Sequence, residues 1–566
     1  MLLYEYYEFE RMIRMKDVLE KKIKNILLNL GIKNPKVILD YPAHFEMGDL
    51  TTNVAMAYAK ELSKEPLDLA KEIVSHLEAE LPSLRIEAVP PGFINFFFDK
   101  EYFEPKPLEK INILKDQKIF VEHTQPNPFK EFHIGHLMNN TIGESVARIV
   151  KANGAEVKTC SYHGDVGLHI AEAVWAIQKG IDLKQAYAYG HKAGESDEKV
   201  IAEILEINKK IYDKSDAEIN KSYENGRKTS LEFFGSVYEK LDSHFDYHFY
   251  ESESGDVGKE LVLKNIGTVF EESDGAVVFK GENFEPKTHT RVFLTKEKLP
   301  TYEAKELGLA KIKKEKWSYD KSVTITGNEQ DSFFDVVEVA IGEVFPELKG
   351  KLHHLSHGML KLPTGKMSSR TGTIISAESL INQVKEKVLE KMNSREEVSR
   401  MPLDIEGTVE VVAIGAIKYS ILRQAIGGDI IFDFDKSISF EGDSGPYLQY
   451  SAVRASSVLE KAKVSKVPSA IHLDIRCPSG WQTTNLEKLL ERFPNVVEKA
   501  GREYAPHHIA THLIDLAGEF NSFYATHKII DKTDKTSPYK LVLTNAFLQT
   551  MTTGLNLLGI KVPERM

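Results

Sequence analysis

The stretch EHTQPNPFKEFHIGHLMNN, from Glu122 to Asn140, decides the fold of this chain. The short apolar run before it, 118–121, predicts a buried strand, and the Pro- and Asn-containing segment predicts a polar turn. A helix is predicted next, because apolar residues recur at helical spacing until Gly154: Ile142, Val146, Ile149 and Val150. In an α/β fold, ligands bind where such a strand ends, and a helix N-terminus favours an anion.

The composition of the 566 residues is typical of a globular protein with several domains, since 42% are hydrophobic and 28% are charged. No run of 18 apolar residues occurs, so no membrane span is expected. The N-terminus lacks the pattern of a signal peptide, and Met12 or Met15 is an alternative start. Two cysteines, Cys160 and Cys477, are too few for a disulfide framework or a cysteine zinc site, which favours a reducing cytoplasm.

The order of patterns along the chain predicts a multidomain α/β protein. Strand, loop and helix alternate after residue 117, which is typical of a Rossmann-like, doubly wound parallel sheet. Helical patterns flank short strands near the N-terminus, and only helical patterns follow Val409. The predicted segments are an N-terminal α+β domain (1–100), a linker (101–116), the doubly wound domain (117–375) with an insertion of short β runs at about 249–296, a connecting helical stem (376–446) and a C-terminal all-α helix bundle (447–566).

The pair His133 and His136, separated by Ile134 and Gly135, has three interpretations. Two histidines three apart on a helix can bind a metal, but a third ligand at familiar spacing is missing. They can also be ordinary structural histidines. A phosphate site is the third interpretation, and it requires a cationic loop as partner. The glycine-flanked segment 365–372, GKMSSRTG, has that composition, although alone it is equally typical of an exposed basic turn.

The two segments together, in this order, resemble the HIGH and KMSKS signatures of class I aminoacyl-tRNA synthetases. The context is similar to the arginyl-tRNA synthetase family in particular. The segments that carry this resemblance are Glu122–Leu137, His44–Asp49 with Asn53, Gly92–Phe96, His163–Gly167, Phe440–Tyr450 and Tyr504–Tyr524. They cover nearly the whole chain. The resemblance implies a class I catalytic domain at 117–375, an N-terminal tRNA-binding domain and a C-terminal anticodon-binding domain.

The resemblance implies a two-step reaction. Arginine is activated with ATP to arginyl-adenylate and pyrophosphate, and the arginyl group is then transferred to the 3′ end of tRNA(Arg). Mg²⁺ would accompany ATP, no structural metal is expected, and activation would require the tRNA. Cytoplasmic localisation and a monomer are the family-like expectations. No editing domain is expected, because a pocket built from charged hydrogen bonds rejects neutral analogues by roughly 10⁴–10⁵.

The resemblance also implies the residues that bind ATP: Lys130, His133, Gly135, His136, Lys366, Met367, Ser368 and Arg370. Four of these are the expected catalytic residues, namely Lys130, His133, His136 and Lys366. This chain has Ser369 where the family signature often has a second Lys. Lys130 is the expected substitute for that cation, and Arg370 is the alternative.

The arginine side of the implied site consists of Glu122, Gln125, Asn127, Tyr302, Glu306 and Gln330. A guanidinium requires carboxylates in bidentate geometry and a planar neighbour. Glu306 stands where the family has Asp, and Gln125 where it more often has Ser. The tRNA bases would stack on aromatic residues, for which the candidates are Tyr447, Tyr450, Phe520 and Tyr524.

Two alternative functions remain open at this point. One is a class I synthetase for another amino acid, which the absence of a cysteine zinc site disfavours. The other is a non-catalytic RNA-binding relative, which the intact His133, His136 and Lys366 disfavour. Amino-acid-dependent ATP–pyrophosphate exchange distinguishes the first, and a His136→Ala variant distinguishes the second.

Overall fold

A computed structural model describes residues 15–108, 110–361, 376–393, 404–465 and 476–566. Contacts divide these residues into two compact units. The first unit contains the described residues within 1–106, 468–491 and 531–543, and the second contains the others. Within the described ranges, no helix combines the length and the apolar character that crossing a membrane requires.

The first unit contains a small antiparallel sheet covered by amphipathic helices. Leu19, Ile23 and Leu27 lie on one helical face and are fully buried, which explains the packing of the first helix. The strands have the order β1 (Leu50–Thr52), β3 (Phe93–Phe97) and β2 (Arg85–Val89). The N-terminal elements of this unit are α1 (Met15–Asn29), β1 (Leu50–Thr52), α2 (Val54–Tyr58), α3 (Pro66–Glu80), β2 (Arg85–Val89) and β3 (Phe93–Phe97).

The second unit contains a five-stranded sheet in which every neighbouring pair of strands is parallel. The predicted doubly wound parallel sheet is therefore confirmed. From one edge to the other, its strands are β11 (Leu352–His357), β10 (Lys321–Gly327), β4 (Lys118–Glu122), β5 (Glu156–His163) and β6 (Tyr247–Tyr250). The helices of this region are α4 (Ile134–Ala152), α5 (Leu168–Gln178), α6 (Leu183–Ser196), α7 (Glu198–Asp213), α8 (Ala217–Lys240), α9 (Glu251–Lys264), α10 (Tyr302–Lys316) and α11 (Asp331–Val344).

The segment predicted as an insertion of short β runs, about 249–296, contains a helix as well. It begins with α9, and an antiparallel sheet follows: β7 (Glu271–Ser273), β8 (Ala276–Lys280) and β9 (Thr290–Leu294). The remaining elements are β12 (Leu360–Lys361), α12 (Ala377–Asn393), α13 (Ile405–Leu422), β13 (Ile430–Ile431), α14 (Phe434–Ser437), α15 (Gly445–Val464), α16 (Asn485–Glu503), α17 (His507–Thr526) and α18 (Ser537–Leu557). The C-terminal region is helical as predicted, except that β13 interrupts the helices after Val409 and pairs with β12.

Helices α9 and α10 pack backbone against backbone through two glycines. A Cβ atom on Gly258 would lie 1.8 Å from the carbonyl oxygen of Ala304, and one on Gly308 would lie 2.0 Å from the carbonyl oxygen of Ser254. No side chain fits at either position without moving a helix. This contact therefore sets the position of α10, the helix that carries Tyr302 and Glu306.

We expect Gly308→Ala to lower the free energy of unfolding by about 1–3 kcal/mol, because the added methyl group overpacks the α9–α10 contact. Gly235→Ala in α8 is the matched control, since a Cβ there meets nothing within 4 Å. The control is expected to be neutral or stabilising by up to about 1 kcal/mol, the helix propensity difference. Thermal denaturation of both variants checks the pair, and equal melting temperatures would contradict the packing argument.

Candidate active site

The histidines at the start of α4 form a capping arrangement. His133 is the N-cap residue, and its Nδ1 accepts hydrogen bonds from the backbone N–H groups of Gly135 (3.1 Å) and His136 (3.4 Å). The Nδ1 of His136 in turn accepts from the backbone N–H of His133 at 3.2 Å. Because a backbone N–H can only donate, both Nδ1 atoms are unprotonated. Each neutral ring therefore carries its proton on Nε2.

Burial keeps these two rings neutral at physiological pH. It lowers the pKa of His133 to about 4, with the nearby Lys130 charge as a further cause. Burial and the neighbouring His133 lower the pKa of His136 well below its usual value. The rings stack with centroids 3.7 Å apart, and a Cβ on Gly135 would lie 2.9 Å from the His133 ring. The pair thus presents two Nε2–H donors at a helix N-terminus.

The loop between β4 and α4 has a strained backbone. We call residues 123–133 the signature loop. Thr124, Gln125 and Phe129 have φ angles of 77°, 50° and 65°, a region that residues with a side chain rarely adopt. Such strain persists only where surrounding contacts enforce it. The signature loop therefore needs partners outside itself.

Those partners come from β5 and α8. The hydroxyl of Ser161 accepts from the backbone N–H of Gln125 at 3.3 Å, and the hydroxyl of Ser230 accepts from that of Phe129 at 2.9 Å. His163 Nδ1 lies 2.7 Å from the carbonyl oxygen of Pro126. A carbonyl only accepts, so His163 donates from Nδ1 and its Nε2 accepts from His248 at 3.0 Å. Burial lowers the pKa of His163 to about 3, which preserves this tautomer.

Asn127 is fixed by the turn after β5. Its Oδ1 accepts from the backbone N–H of Gly164 at 3.0 Å. A Cβ on Gly164 would lie only 2.7 Å from this oxygen, so a glycine is needed for the contact. The turn is held in place by Asp165, which is fully buried and pairs with Arg227 at 2.9 Å.

Glu122, at the end of β4, is almost fully buried and engaged through both carboxylate oxygens. Gln125 Nε2 donates to Oε1 at 2.6 Å, and Lys313 Nζ donates to Oε2 at 2.9 Å. The sequence suggested a direct contact between Glu122 and a substrate. In the structure its carboxylate is occupied by protein groups, while Gln125 and Asn127 lie beyond it in the signature loop.

Tyr302 and Glu306 lie one turn apart in α10, as the spacing predicts. The side chain of Tyr302 is 59% exposed. Burial and the Glu122 charge raise the pKa of Glu306 well above its usual value. A half-buried carboxyl group with a raised pKa is a candidate site for a cationic ligand.

Three further charged groups lie in the same region: Glu251, Lys305 and Lys130. Glu251 is buried and bonds to the equally buried Lys305 at 2.5 Å. The ammonium of Lys130 lies 4.4 Å from the ring centroid of Tyr187, and burial lowers its pKa. The charge of Lys130 also contributes to the lowered pKa values of both signature histidines, which places this cation beside them.

The other predicted site residues have different positions. Gln330 is exposed, in a 3₁₀ turn after β10. Lys366, Met367, Ser368 and Arg370 lie outside the described residues. Among the described residues, no group of three or more His, Cys, Asp or Glu side chains is arranged to hold a metal ion.

The predicted aromatic residues of the C-terminal helices fall into two groups. Arg454 lies over the rings of Tyr450 (4.7 Å to the centroid) and Tyr524 (5.2 Å), and Asn521 donates to the hydroxyl of Tyr447 at 2.9 Å. Tyr524 is 42% exposed. Phe520, by contrast, is fully buried and stacks on Phe547 with centroids 3.8 Å apart. Its ring is part of the core, so no face is exposed to a base.

Sequence reasoning missed Lys313, Glu251 and Lys305. One signal was present, because Lys313 follows Glu306 by seven residues, two turns along the same face of α10. Glu251 offered no local signal. It starts a helix after an edge strand, and only the pairing of that strand with β5 places it at the site.

Comparisons with known proteins cover nearly the whole chain. Three family models match: "Arginyl tRNA synthetase N terminal domain" at residues 14–98, "tRNA synthetases class I (R), catalytic domain" at 104–434, and "DALR anticodon binding domain" at 448–566. An arginine–tRNA ligase of Archaeoglobus fulgidus is 30% identical over 96% of this chain and 99% of its own length. One of Borrelia hermsii is 28% identical over 98% and 99%.

Two solved structures share the fold. An arginyl-tRNA synthetase of Thermus thermophilus matches with a TM-score of 0.75 and 24% identity, covering 97% of this chain and all of that one. One from Plasmodium falciparum matches with a TM-score of 0.80 and 20% identity, covering 98% and 99%.

We expect His163→Leu to loosen the signature loop, because the bond that holds the Pro126 carbonyl is lost while a side chain of similar size remains. Amide hydrogen exchange of residues 124–132 should become faster by about tenfold, which corresponds to about 1.4 kcal/mol of lost protection. Exchange in β4 is the internal control and should not change. Equal exchange in the loops of the variant and the parent would contradict this role.

Proposed function

Since this chain belongs to the arginyl-tRNA synthetase family, we propose how its residues carry out the two steps of that reaction. The chain is an arginine–tRNA ligase of class I, which activates arginine with ATP and transfers it to tRNA. The observation that carries the site assignment is the pair of Nε2–H donors on His133 and His136, set beside a separate carboxylate pocket that includes Glu306.

The histidine pair binds the phosphates of ATP. In the activation step the arginine carboxylate attacks the α-phosphate, the new C–O–P bond forms, and the bond to pyrophosphate breaks. Negative charge develops on phosphoryl oxygens, so donors fixed beforehand stabilise the transition state most. Lys130 supplies a cation at the same place. Lys366, Met367, Ser368 and Arg370 are proposed to complete the nucleotide site, and Mg²⁺ enters with ATP as part of the substrate.

The guanidinium of arginine binds at the acidic pocket. Glu306 is its main partner, and Tyr302 covers the planar group from the rim of the pocket. Glu251 contributes to the same electrostatic environment, since its charge raises the pKa of both Glu306 and Tyr302. Asn127 and Gln125 face the α-amino end. Glu122 acts through Gln125, and Gln330 approaches from the end of β10.

The tRNA is bound by both ends of the chain. In the C-terminal helices we propose Tyr447, Tyr450 and Tyr524 as the surface for single-stranded bases, with the guanidinium of Arg454 between two of the rings. Phe520 supports this surface from the core. We further propose that the enzyme is a monomer and works in the cytoplasm, where translation takes place.

ATP–pyrophosphate exchange in the presence of tRNA(Arg) tests the function. Each of the twenty amino acids is supplied in turn, and only arginine is expected to support exchange. His136→Ala is expected to lower the exchange rate by about 10²–10³-fold, the usual effect of losing one transition-state donor. His76→Ala is the matched control because His76 is exposed in α3. Exchange with another amino acid alone would contradict the assignment to arginine.

Arginine binding is expected to release a proton. In the free protein the pKa of Glu306 is raised by burial and by Glu122. A bound guanidinium favours the carboxylate, so it lowers this pKa and the proton leaves. The affinity for arginine should therefore rise with pH, by up to about tenfold per unit between the bound and free pKa values, and level off above them.

Isothermal titration calorimetry in two buffers with different ionisation enthalpies measures this proton release. Glu306→Gln should abolish the release, because an amide does not ionise. Glu329→Gln is the control, since Glu329 is exposed in the turn after β10. If the parent protein binds arginine with no net proton release below the raised pKa of free Glu306, Glu306 is not the partner of the guanidinium.

A further inference from the structure

Lys313 is a buried cation to which the reaction as described above gives no role. Its side chain is about as buried as that of Glu122, with relative exposures of 5% and 1%. The ammonium donates to Glu122 at 2.9 Å and to the hydroxyl of Ser322 at 2.7 Å. Burial of a lysine destabilises its charged form, but the Glu122 carboxylate more than offsets this and raises the pKa of Lys313. The side chain is therefore an ammonium ion.

This ammonium begins a chain of hydrogen bonds that crosses the site. Glu122 accepts from Gln125 at 2.6 Å, and the Oε1 of Gln125 accepts from Asn139 Nδ2 at 3.3 Å. Asn139 lies in α4 three residues after His136, on the same face of that helix. The chain thus connects α10, which carries the carboxylate pocket, to α4, which carries the phosphate-binding histidines. It passes through Gln125, one of the strained residues of the signature loop.

The charges around Glu306 indicate a second role for the ion pair between Lys313 and Glu122. Three other carboxylates act on its pKa, and each has its own cation: Glu122 with Lys313 (2.9 Å), Glu251 with Lys305 (2.5 Å) and Glu303 with Arg291 (3.0 Å). No described side chain forms an ion pair with Glu306. When Glu306 is ionised, as we propose for the arginine-bound state, the group therefore has a formal charge of −1, which one guanidinium neutralises.

We propose that Lys313 is a positioning residue for the arginine pocket: it holds Glu122 and Gln125 in place and leaves Glu306 as the one carboxylate of this described group without a protein cation. The inference rests on the proposed function, because it takes arginine as the ligand of Glu306. Lys313 does not contact the substrate in this role. It acts through Glu122.

The ion pair between Lys313 and Glu122 predicts that single and double substitutions have opposite effects. Removing one partner of a buried ion pair leaves an uncompensated charge, whereas removing both restores the balance. Lys313→Met changes the formal charge of the group to −2 and releases Glu122 toward Glu306. Glu122→Gln changes it to 0 and leaves an unpaired ammonium close to the guanidinium. The double variant returns the group to −1, and the amide oxygen that replaces the Glu122 carboxylate can still accept the bond from Gln125.

The experiment measures KM for arginine and for ATP in tRNA-dependent ATP–pyrophosphate exchange with the full-length protein. Each single variant is expected to raise the KM for arginine by about tenfold or more and to change that for ATP by less than about threefold. Adding Lys313→Met to the Glu122→Gln protein should lower the KM for arginine again. Lys311→Met is the matched control, because Lys311 lies on an outer face of α10 and pairs with Glu315 at 3.7 Å.

Lys313→Met is expected to raise the KM for arginine in the parent and to lower it in the Glu122→Gln protein. This difference in sign distinguishes a positioning role from a purely structural one. If Lys313 only stabilises the fold, melting temperatures fall while the KM for arginine stays the same, and this result overturns the inference. Equal increases of the KM in both backgrounds also overturn it, since Lys313 would then act independently of Glu122. Should Lys313→Met alone fail to fold, Glu122→Gln and the double variant still supply the comparison. A parent enzyme without arginine-dependent exchange contradicts the proposed function instead.

Discussion

The strained backbone of the signature loop is the constraint on which the rest of the site depends. Three residues with side chains adopt positive φ angles between β4 and α4, and the cost of such conformations is about 1–3 kcal/mol each. Hydrogen bonds from β5 and α8 to the loop backbone offset this cost. In this conformation Gln125 bonds to Glu122 and Asn127 bonds to Gly164, and the loop leads into α4 at the histidine pair. Because β4 and β5 are parallel neighbours, the signature loop after β4 lies beside the end of β5, from which its bonding partners come.

Charge pairing is the second requirement of the site, and it explains how several carboxylates coexist in a buried region. An isolated buried carboxylate takes up a proton rather than stay ionised. Each pair in this region brings together residues from different elements: β4 with α10, α9 with α10, and β9 with α10. Helix α10 contributes to all of them, and the glycine contact with α9 sets its position. The arrangement of charges around Glu306 thus depends on helix packing as much as on the acidic residues themselves.

Much of the fold could be predicted from the sequence because local patterns carry it. Alternating strands and helices specify a parallel sheet, since parallel neighbours require a crossover connection. The predicted elements fail where tertiary contacts override local patterns. Helix α9 lies inside a segment whose turn residues favour β structure. Phe520 is one of several aromatic residues at helical spacing, a pattern that is typical of both core and surface positions. Burial decides between these, and burial is not a local property.

The sequence by itself determined the family, the doubly wound sheet and the histidine pair at the start of α4, because each depends on residues close together in the chain. Only the tertiary structure decided which charges meet. Glu122 and Lys313 are 191 positions apart, and Glu251 and Lys305 are 54 apart. No spacing rule links such residues, since their contact follows from the order of strands in the sheet and the crossing of two helices. The protonation states follow in turn, because burial and neighbouring charge set them.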